Sequence, residues 1–506
     1  MNDTAHALGS SRTLWELVAR RAELTPDRPA LLQDDRTLTF GELHDRAERV
    51  AAGLYGMGVR PGTVVAWQLP TRIETALLSF ALARLGAVQS PVIPFYRDRE
   101  VGFAVRESKA EYFAVPGEWR GFDHTAMARR LGARGIFEAY DVLPDGDPSA
   151  LPAPPADGTD VRWIYWTSGT TSDPKGVLHT DRSLLAGGSC LAHALRPTSA
   201  DVGSIAFPYA HIGGPDYMVM LLLYGFPAVL FEQFALPDAL AGYRKHGVTM
   251  AGGSTAFYSM FLTEQRKRPE EKLIPSLRLL AGGGAPKPPE VYHAVVRELG
   301  AQLTHGYGMT EVPMITMGAP DDTVENLATT EGRPPDGMEI RIVDGGEVRL
   351  RGEAVCRGYL DPAQTAEAFD AEGFLRTGDL GRLTDSGHLV LTGRLKDVII
   401  RKGENISAKE IEDLLHRHPA VGDVAVIGLP DAERGELVCA VIEMGAQPPN
   451  AGELTLQAVT SYLRAEGLSV HKLPERLEVV DALPRNETLR KVLKYKLRER
   501  YSRPGK

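Results

Sequence analysis

Thr167, Ser168, Thr170, Thr171 and Ser172 place five hydroxyls in six positions, with Gly169 among them and Asp173-Pro174-Lys175-Gly176 following. Hydroxyl and backbone N–H donors ending in one ammonium, on a chain able to close around an anion, suit phosphate oxygens. No Gly-Lys-Ser/Thr stands at the spacing a Walker loop requires. Arg162–Trp166 reads as a short buried strand leading into the loop. An ordinary polar loop is the competing reading, but five hydroxyls in register with Pro-Lys-Gly make it the poorer one.

Further along, His305-Gly306-Tyr307-Gly308-Met309-Thr310-Glu311 follows a predicted strand, Gln302–Thr304. The two glycines would leave Tyr307 free to present a flat face to a base. Thr310 and Glu311 set a hydroxyl beside a carboxylate, as a nucleotide-bound magnesium needs; alone, such a pair reads as a solvated helix start. Ala281-Gly282-Gly283-Gly284-Ala285-Pro286 is either a tight turn or a wall without side chains against which a ring could lie. Arg376-Thr377-Gly378-Asp379 puts a carboxylate just after a strand, where it could accept two ribose hydroxyls or form a turn.

In their order along the chain, these stretches resemble the signatures of the adenylate-forming superfamily: acyl-CoA synthetases, adenylation domains and luciferases. The nearest likeness is to ligases of fatty or cyclic and aromatic acids. The loop is similar to Thr-Ser-Gly-Thr-Thr-Gly-x-Pro-Lys-Gly, with Ser172 replacing the third glycine. The resemblance implies that Thr167, Ser168, Gly169, Thr170, Thr171 and Lys175 hold ATP phosphates. It implies an adenine site of Gly283, Gly284, Ala285, Gly306 and Tyr307, and a ribose site of Asp379 and Arg394. Thr310 and Glu311 become catalytic, with Glu311 supporting Mg2+. Lys396 becomes the pivot of a C-terminal domain with two poses, one of which brings the Gly403 turn to a thiol tunnel. The family ends Pro-Arg-x-x-x-Gly-Lys, whereas here Leu489-Arg490 replaces the glycine and adds a residue, so the catalytic lysine falls on Lys491 with Arg490 as the other choice. His211, in Pro208–Gly214, would gate the substrate carboxylate.

The elements that must position these residues alternate strand and helix: Thr63–Leu69 strand, Thr71–Leu85 helix, Ala87–Ile93 strand, Arg97–Ser108 helix, Glu111–Val115 strand. Such alternation predicts parallel βαβ units. Thr13 and Thr39, each with Glu three residues on, read as helix caps. Past Glu339 come short strands and glycine turns. The expected fold is therefore α/β: residues 1–395 form a large N-terminal domain of doubly wound βαβ subdomains with a small β-barrel-like subdomain. Residues 396–506 form a small mobile α+β domain.

Composition sets the remaining bounds. Across 506 residues the chain is 43% hydrophobic and 24% charged, with net charge −9, which argues against nucleic acid as a partner. Cys190, Cys356 and Cys439 are far apart and read as free buried thiols in a reducing compartment. No secretory leader is evident at the N-terminus. The longest apolar run, Tyr217–Phe231, is broken by Gly225 and Pro227, so no membrane span and a cytoplasmic location are expected.

The expected activity is that of an acid–CoA ligase. ATP with Mg2+ would activate a small carboxylic acid as acyl-adenylate, and the CoA thiol would then take the acyl group. Arg401, Lys402, Lys409, His471 and Lys472 are the cations available for CoA phosphates. Gly252–Tyr258 and Val312–Met314 would wall the acyl pocket, and no Asp is aligned for an α-amino group. One rival keeps the fold but activates nitrite to diazotise an aromatic amine; another is a pseudoenzyme that only binds nucleotide. A homodimer is one assembly the reading allows.

Overall fold

The computed structural model describes residues 3–167, 174–285, 287–402, 404–431, 433–445, 454–486 and 491–502. Contacts divide the chain into two compact units, Met1–Glu339 with Leu350–Leu375, and Ile340–Arg349 with Arg376–Lys506.

Among the described residues the first unit holds three larger sheets and a two-stranded one, Glu118–Trp119 with Phe122–Asp123. Six strands run in the order Lys175–Thr180, Val161–Thr167, Val88–Pro91, Val64–Trp67, Tyr112–Val115 and Ile136–Glu138, parallel except for the first pair. A second sheet orders Gly203–Ile205, Ala228–Leu230, Pro29–Gln33 and Arg36–Thr39. The third orders Met250–Gly253, Leu279–Gly283, Gln302–Met309 and Val312–Met317, its last pair being an antiparallel hairpin. Helix Ile73–Leu85 is buried along all 13 residues; it is mostly apolar, and its two charged residues, Glu74 and Arg84, are paired with Arg36 and Glu48. The apolar run 217–231 divides where its glycine and proline predict, into helix Gly213–Tyr224, the left-handed Gly225, and strand Ala228–Leu230.

Caps follow the sequence closely. Thr39 and Glu42 complete a reciprocal capping box on helix Phe40–Gly56. Thr13 caps Leu14–Leu24 by accepting from Glu16 N–H, but the Glu16 carboxylate receives the N–H of Arg12 (2.9 Å) and not that of Thr13.

The second unit holds most of a four-stranded sheet ordered Met338–Ile342, Glu347–Gly352, Leu375–Leu383 and Leu389–Arg394. The glycine-punctuated β segment foreseen beyond Glu339 takes this form. A five-stranded sheet follows, in which Gly435–Met444 pairs with Val421–Asp431, Val398–Arg401 and Arg476–Val480. Helices Ala408–Leu415 and Leu456–Ala465 supply the apolar faces that share its core, through Ile411, Leu415, Val459 and Leu463. Cys356 and Cys439 are buried free thiols, while Cys190 is only half-buried. Among the described residues no helix is long and apolar enough to cross a membrane.

Candidate active site

Strand Val161–Thr167 turns back as Lys175–Thr180, and Lys175 stands in register with Thr167. The two described residues nearest the hydroxyl stretch on strands, Thr167 and Lys175, are thus paired at the edge of the six-stranded sheet. Ser168, Gly169, Thr170 and Thr171 lie outside the described residues, as do Gly403 and Arg490.

The edge strand is covered by an extended segment, as exposed edges usually must be. Leu178 N–H donates to Gly358 O (2.9 Å), Arg357 N–H to Leu178 O (2.8 Å), and Leu360 N–H to Gly176 O (2.8 Å). That segment delivers Tyr359, whose ring centre lies 5.1 Å from Lys175 Nζ. Tyr359 Oη donates to Glu311 Oε1 (2.8 Å), and Cys356 N–H donates to Glu311 O (2.8 Å). Glu311 is 8% exposed. Burial, and then the neighbouring Glu311 charge, push the Tyr359 phenol up, so it remains a donor. Lys175, Tyr359 and Glu311 therefore form one contiguous group, although Tyr359 is 48 residues from the carboxylate it holds.

Thr310 and Glu311 are the two residues at the tip of the Gln302–Met309/Val312–Met317 hairpin, with Met309 opposite Val312. They are a strand turn and not a helix start. Buried His179 fixes this turn from below: its Nε2 donates to Thr310 O (2.7 Å), and its Nδ1 accepts from Ser183 Oγ (2.9 Å). Burial pushes His179 down to about 4, with the Thr310 carbonyl opposing that shift.

The sign of the linked stability follows. The unfolded chain protonates this imidazole near its usual value of about 6.5, whereas the folded one stays neutral. Stability is therefore full above about pH 6.5 and is lost as pH falls toward 4, by up to roughly 3 kcal/mol. His179→Gln should melt below the parent at neutral pH, and the gap should narrow as pH falls to 5. A gap constant with pH would show that the imidazole does not carry this dependence.

The adenine candidates are brought together. Leu279–Gly283 lies beside Gln302–Met309 with Gly283 opposite Gly306, and His305 Nε2 donates to Ala285 O (3.0 Å). The glycines are explained by close approach as well as by a flat wall: a β-carbon on Gly283 would meet Gly306 O at 2.3 Å, and one on Gly306 would meet Thr316 O at 2.6 Å. Gly284 has φ +82°, a left-handed conformation. The strand runs on through His305–Met309, so Tyr307 is not released by its glycines. It pairs with Thr316 and is 8% exposed. Half-buried His211 accepts from Gly213 N–H at Nδ1 (3.3 Å), at the entry to helix Gly213–Tyr224.

In the second unit Asp379 and Arg394 face each other across two strands and form an ion pair through Arg394 Nε and Asp379 Oδ1. Asp379 is 6% exposed, and its N–H donates to Thr377 Oγ1 (3.0 Å). Lys396 lies in the single helical turn Leu395–Asp397. Lys491 is exposed and precedes the terminal helix Lys494–Tyr501: its N–H donates to Asn486 Oδ1 (3.0 Å) and its carbonyl accepts from Asn486 N–H (2.9 Å). Three of the cations expected to meet CoA phosphates already hold carboxylates: Arg401 with Glu475 (2.6 Å), Lys409 with Asp413 (2.7 Å) and Lys472 with Glu410 (2.7 Å).

The AMP-binding enzyme model matches residues 18–360, and the AMP-binding enzyme C-terminal domain matches residues 410–489. The chain belongs to the AMP-binding enzyme family. Within it, the chain is 33% identical to a salicyl-AMP ligase / salicyl-S-ArCP synthetase of Mycobacterium tuberculosis, over 94% of this chain and 88% of that one. It is 31% identical to the 2-succinylbenzoate–CoA ligase of Bacillus subtilis, over 95% and 96% respectively. ATP-bound MatB from Rhodopseudomonas palustris superimposes with a TM-score of 0.85 at 27% identity, covering 96% of this chain and 98% of that one. The AMP-binding enzyme described here is an adenylate-forming acid–thiol ligase of mixed α/β fold, with a large N-terminal and a smaller C-terminal domain. Nothing among these relatives supports the nitrite-activating alternative.

Proposed function

We propose that this enzyme condenses a small carboxylic acid with ATP and passes the acyl group to the thiol of CoA, working in the cytoplasm. The reading rests above all on the Lys175–Tyr359–Glu311 group, which sets a cation and a buried carboxylate at the exit of a hydroxyl-rich loop. A carboxylate oxygen of the acid attacks the α-phosphorus and pyrophosphate leaves. The thiol then attacks the acyl carbon and AMP leaves. Neither step needs a strong acid or base; the chain supplies positioning and charge neutralisation.

Among the described residues no cluster of three or more His, Cys, Asp or Glu could hold a metal ion by itself. A lone carboxylate fits Mg2+, which keeps waters and reaches proteins through one or two carboxylates and the substrate's phosphates. Glu311 would hold it, and the ion would neutralise charge as pyrophosphate departs. Thr167, Ser168, Gly169, Thr170, Thr171 and Lys175 would hold the phosphates, with Thr310 beside them. Gly283, Gly284, Ala285, Gly306 and Tyr307 would hold adenine, Asp379 and Arg394 the ribose, and His211 would guard the acid. The assigned hinge is Lys396, dividing 1–395 from 396–506. Lys491 serves adenylation, and the Gly403 turn serves the thiol step.

A second acceptor, a protein-bound thiol, is favoured by the carboxylate partners of Arg401, Lys409 and Lys472, because such a thiol brings no nucleotide phosphates to be held. Incubating the enzyme with a panel of acids, ATP, Mg2+ and CoA, and reading products by mass spectrometry, tests the assignment. A CoA thioester with AMP and pyrophosphate is expected from at least one acid. A diazonium product formed from nitrite and an aromatic amine, with no thioester from any acid, would overturn it.

A further inference from the structure

Asp216 is a buried carboxyl without a hydrogen-bond or ion-pair partner among the described residues. It sits in the first turns of helix Gly213–Tyr224, 2% exposed, next to the buried apolar stretch Met218–Leu223. Its Oδ1 accepts no hydrogen bond, and no hydrogen bond or ion pair reaches the carboxyl among the described residues. Other buried carboxylates of the first unit are satisfied. Asp181 accepts from Trp163 Nε1 (2.9 Å) and Leu14 N–H (3.1 Å), and Asp201 takes Arg278 at both oxygens (2.6 and 2.7 Å). An unpaired buried carboxyl costs several kcal/mol, and native proteins hold only a few such groups. Burial alone pushes the Asp216 carboxyl well above the usual range.

Its position connects it to the reaction. A β-carbon built on Gly187 would stand 2.8 Å from Asp216 Oδ1 and 3.0 Å from the β-carbon of Pro313. Gly187 is therefore a point of close approach, where its helix packs directly against the Asp216 carboxyl and against Pro313, the residue two positions after Glu311. Pro313 lies in the stretch expected to wall the acid. Asp216 also raises the Tyr165 phenol and the Cys190 thiol, in each case behind larger causes headed by burial.

We infer that Asp216 reads the far end of the acid: the substrate carries an amino group remote from its reacting carboxylate, and that group supplies the hydrogen bonds Asp216 lacks. The inference rests on the proposed adenylation of a carboxylic acid beside the Thr310-Glu311 turn. The substrate class is then an amino-substituted acid with an apolar body between two polar ends.

The test is ATP–pyrophosphate exchange by the full chain with matched acids. Aminobenzoates are set against the toluates of the same substitution, and ω-amino acids against alkanoates of equal length. At least one amino acid of a pair should exceed its methyl twin by about tenfold or more. Asp216→Leu should reverse that preference while raising the melting temperature of the ligand-free protein, because it removes an unpaired buried carboxyl. Asp216→Asn, nearly the same shape, should reduce the preference and covers the case in which the leucine variant fails to fold. Exchange favouring methyl twins in the parent, or a preference untouched by both substitutions, would overturn the role of Asp216 alone. Exchange with no acid at all would overturn the adenylation reading, and this inference with it.

Discussion

Lys491→Ala is expected to slow acyl-adenylate formation by about two orders of magnitude or more, the cost of deleting one preorganised charge contact at a reacting centre. Thioester formation from supplied acyl-adenylate should continue. The basis is that the backbone at Lys491 and Val492 is tied to Arg485 and Asn486. Asn486 exchanges two hydrogen bonds with it, Arg485 bridges to Val492, and the Arg485 guanidinium is itself held by Asp423 and Glu443. The exposed ammonium is thus carried on a braced backbone. Lys494 is the natural control. Its Nζ holds Glu412 (2.7 Å), whose carboxyl burial pushes up, so Lys494→Ala should lower the melting temperature and leave the ratio of the two half-reactions alone. If Arg490→Ala does the damage, or both half-reactions fall equally in Lys491→Ala, the assignment of Lys491 is wrong.

Glu311→Gln is expected to lower the adenylation rate by a factor of about 10 to 100, since hydrogen bonds to charged groups contribute about 1.5–3 kcal/mol. The variant keeps the shape and the Tyr359 contact but removes the charge facing the metal. Tyr359→Phe removes the 2.8 Å hydrogen bond and keeps the charge, so it should cost about tenfold or less. Saturating Mg2+ should restore part of the rate in Glu311→Gln and none in Tyr359→Phe. Rate constants measured across a Mg2+ titration read this directly. An equal response of both variants to Mg2+ would place the metal elsewhere.

Local signals explain what the sequence made legible. Strand and helix alternation, the Thr39–Glu42 cap and the break at Gly225–Pro227 depend on neighbours within a few residues, and each has its counterpart in the structure. The strand ending at Thr167 was legible too, because four apolar or aromatic residues, Trp163–Trp166, precede it. What failed was the meaning of glycine. Gly306 and Gly308 suggest freedom for Tyr307, but glycine also marks close approach. A β-carbon at Gly308 would lie 2.3 Å from Pro313 O, so these glycines let a hairpin close. Spacing alone does not separate the two uses.

Tyr359 and His179 were missed for a related reason. Their partners, Glu311 and Thr310, are 48 and 131 residues away, and only sheet edges bring them together. A faint signal did exist for Tyr359, an aromatic residue directly after Gly358, whose φ of +121° requires glycine. Asp216 was hidden by its setting, since one acid beside a long apolar run reads as a helix start. Only its lack of a partner among the described residues sets it apart.

The central claim is that an acid's own oxygen attacks ATP at the α-phosphorus. An acid that supports turnover, labelled with heavy oxygen at both carboxylate positions, should yield AMP containing one heavy oxygen, read by mass spectrometry after complete conversion to thioester. AMP carrying no heavy oxygen would contradict the account, because the bond to phosphorus would then have been made by water or by another nucleophile.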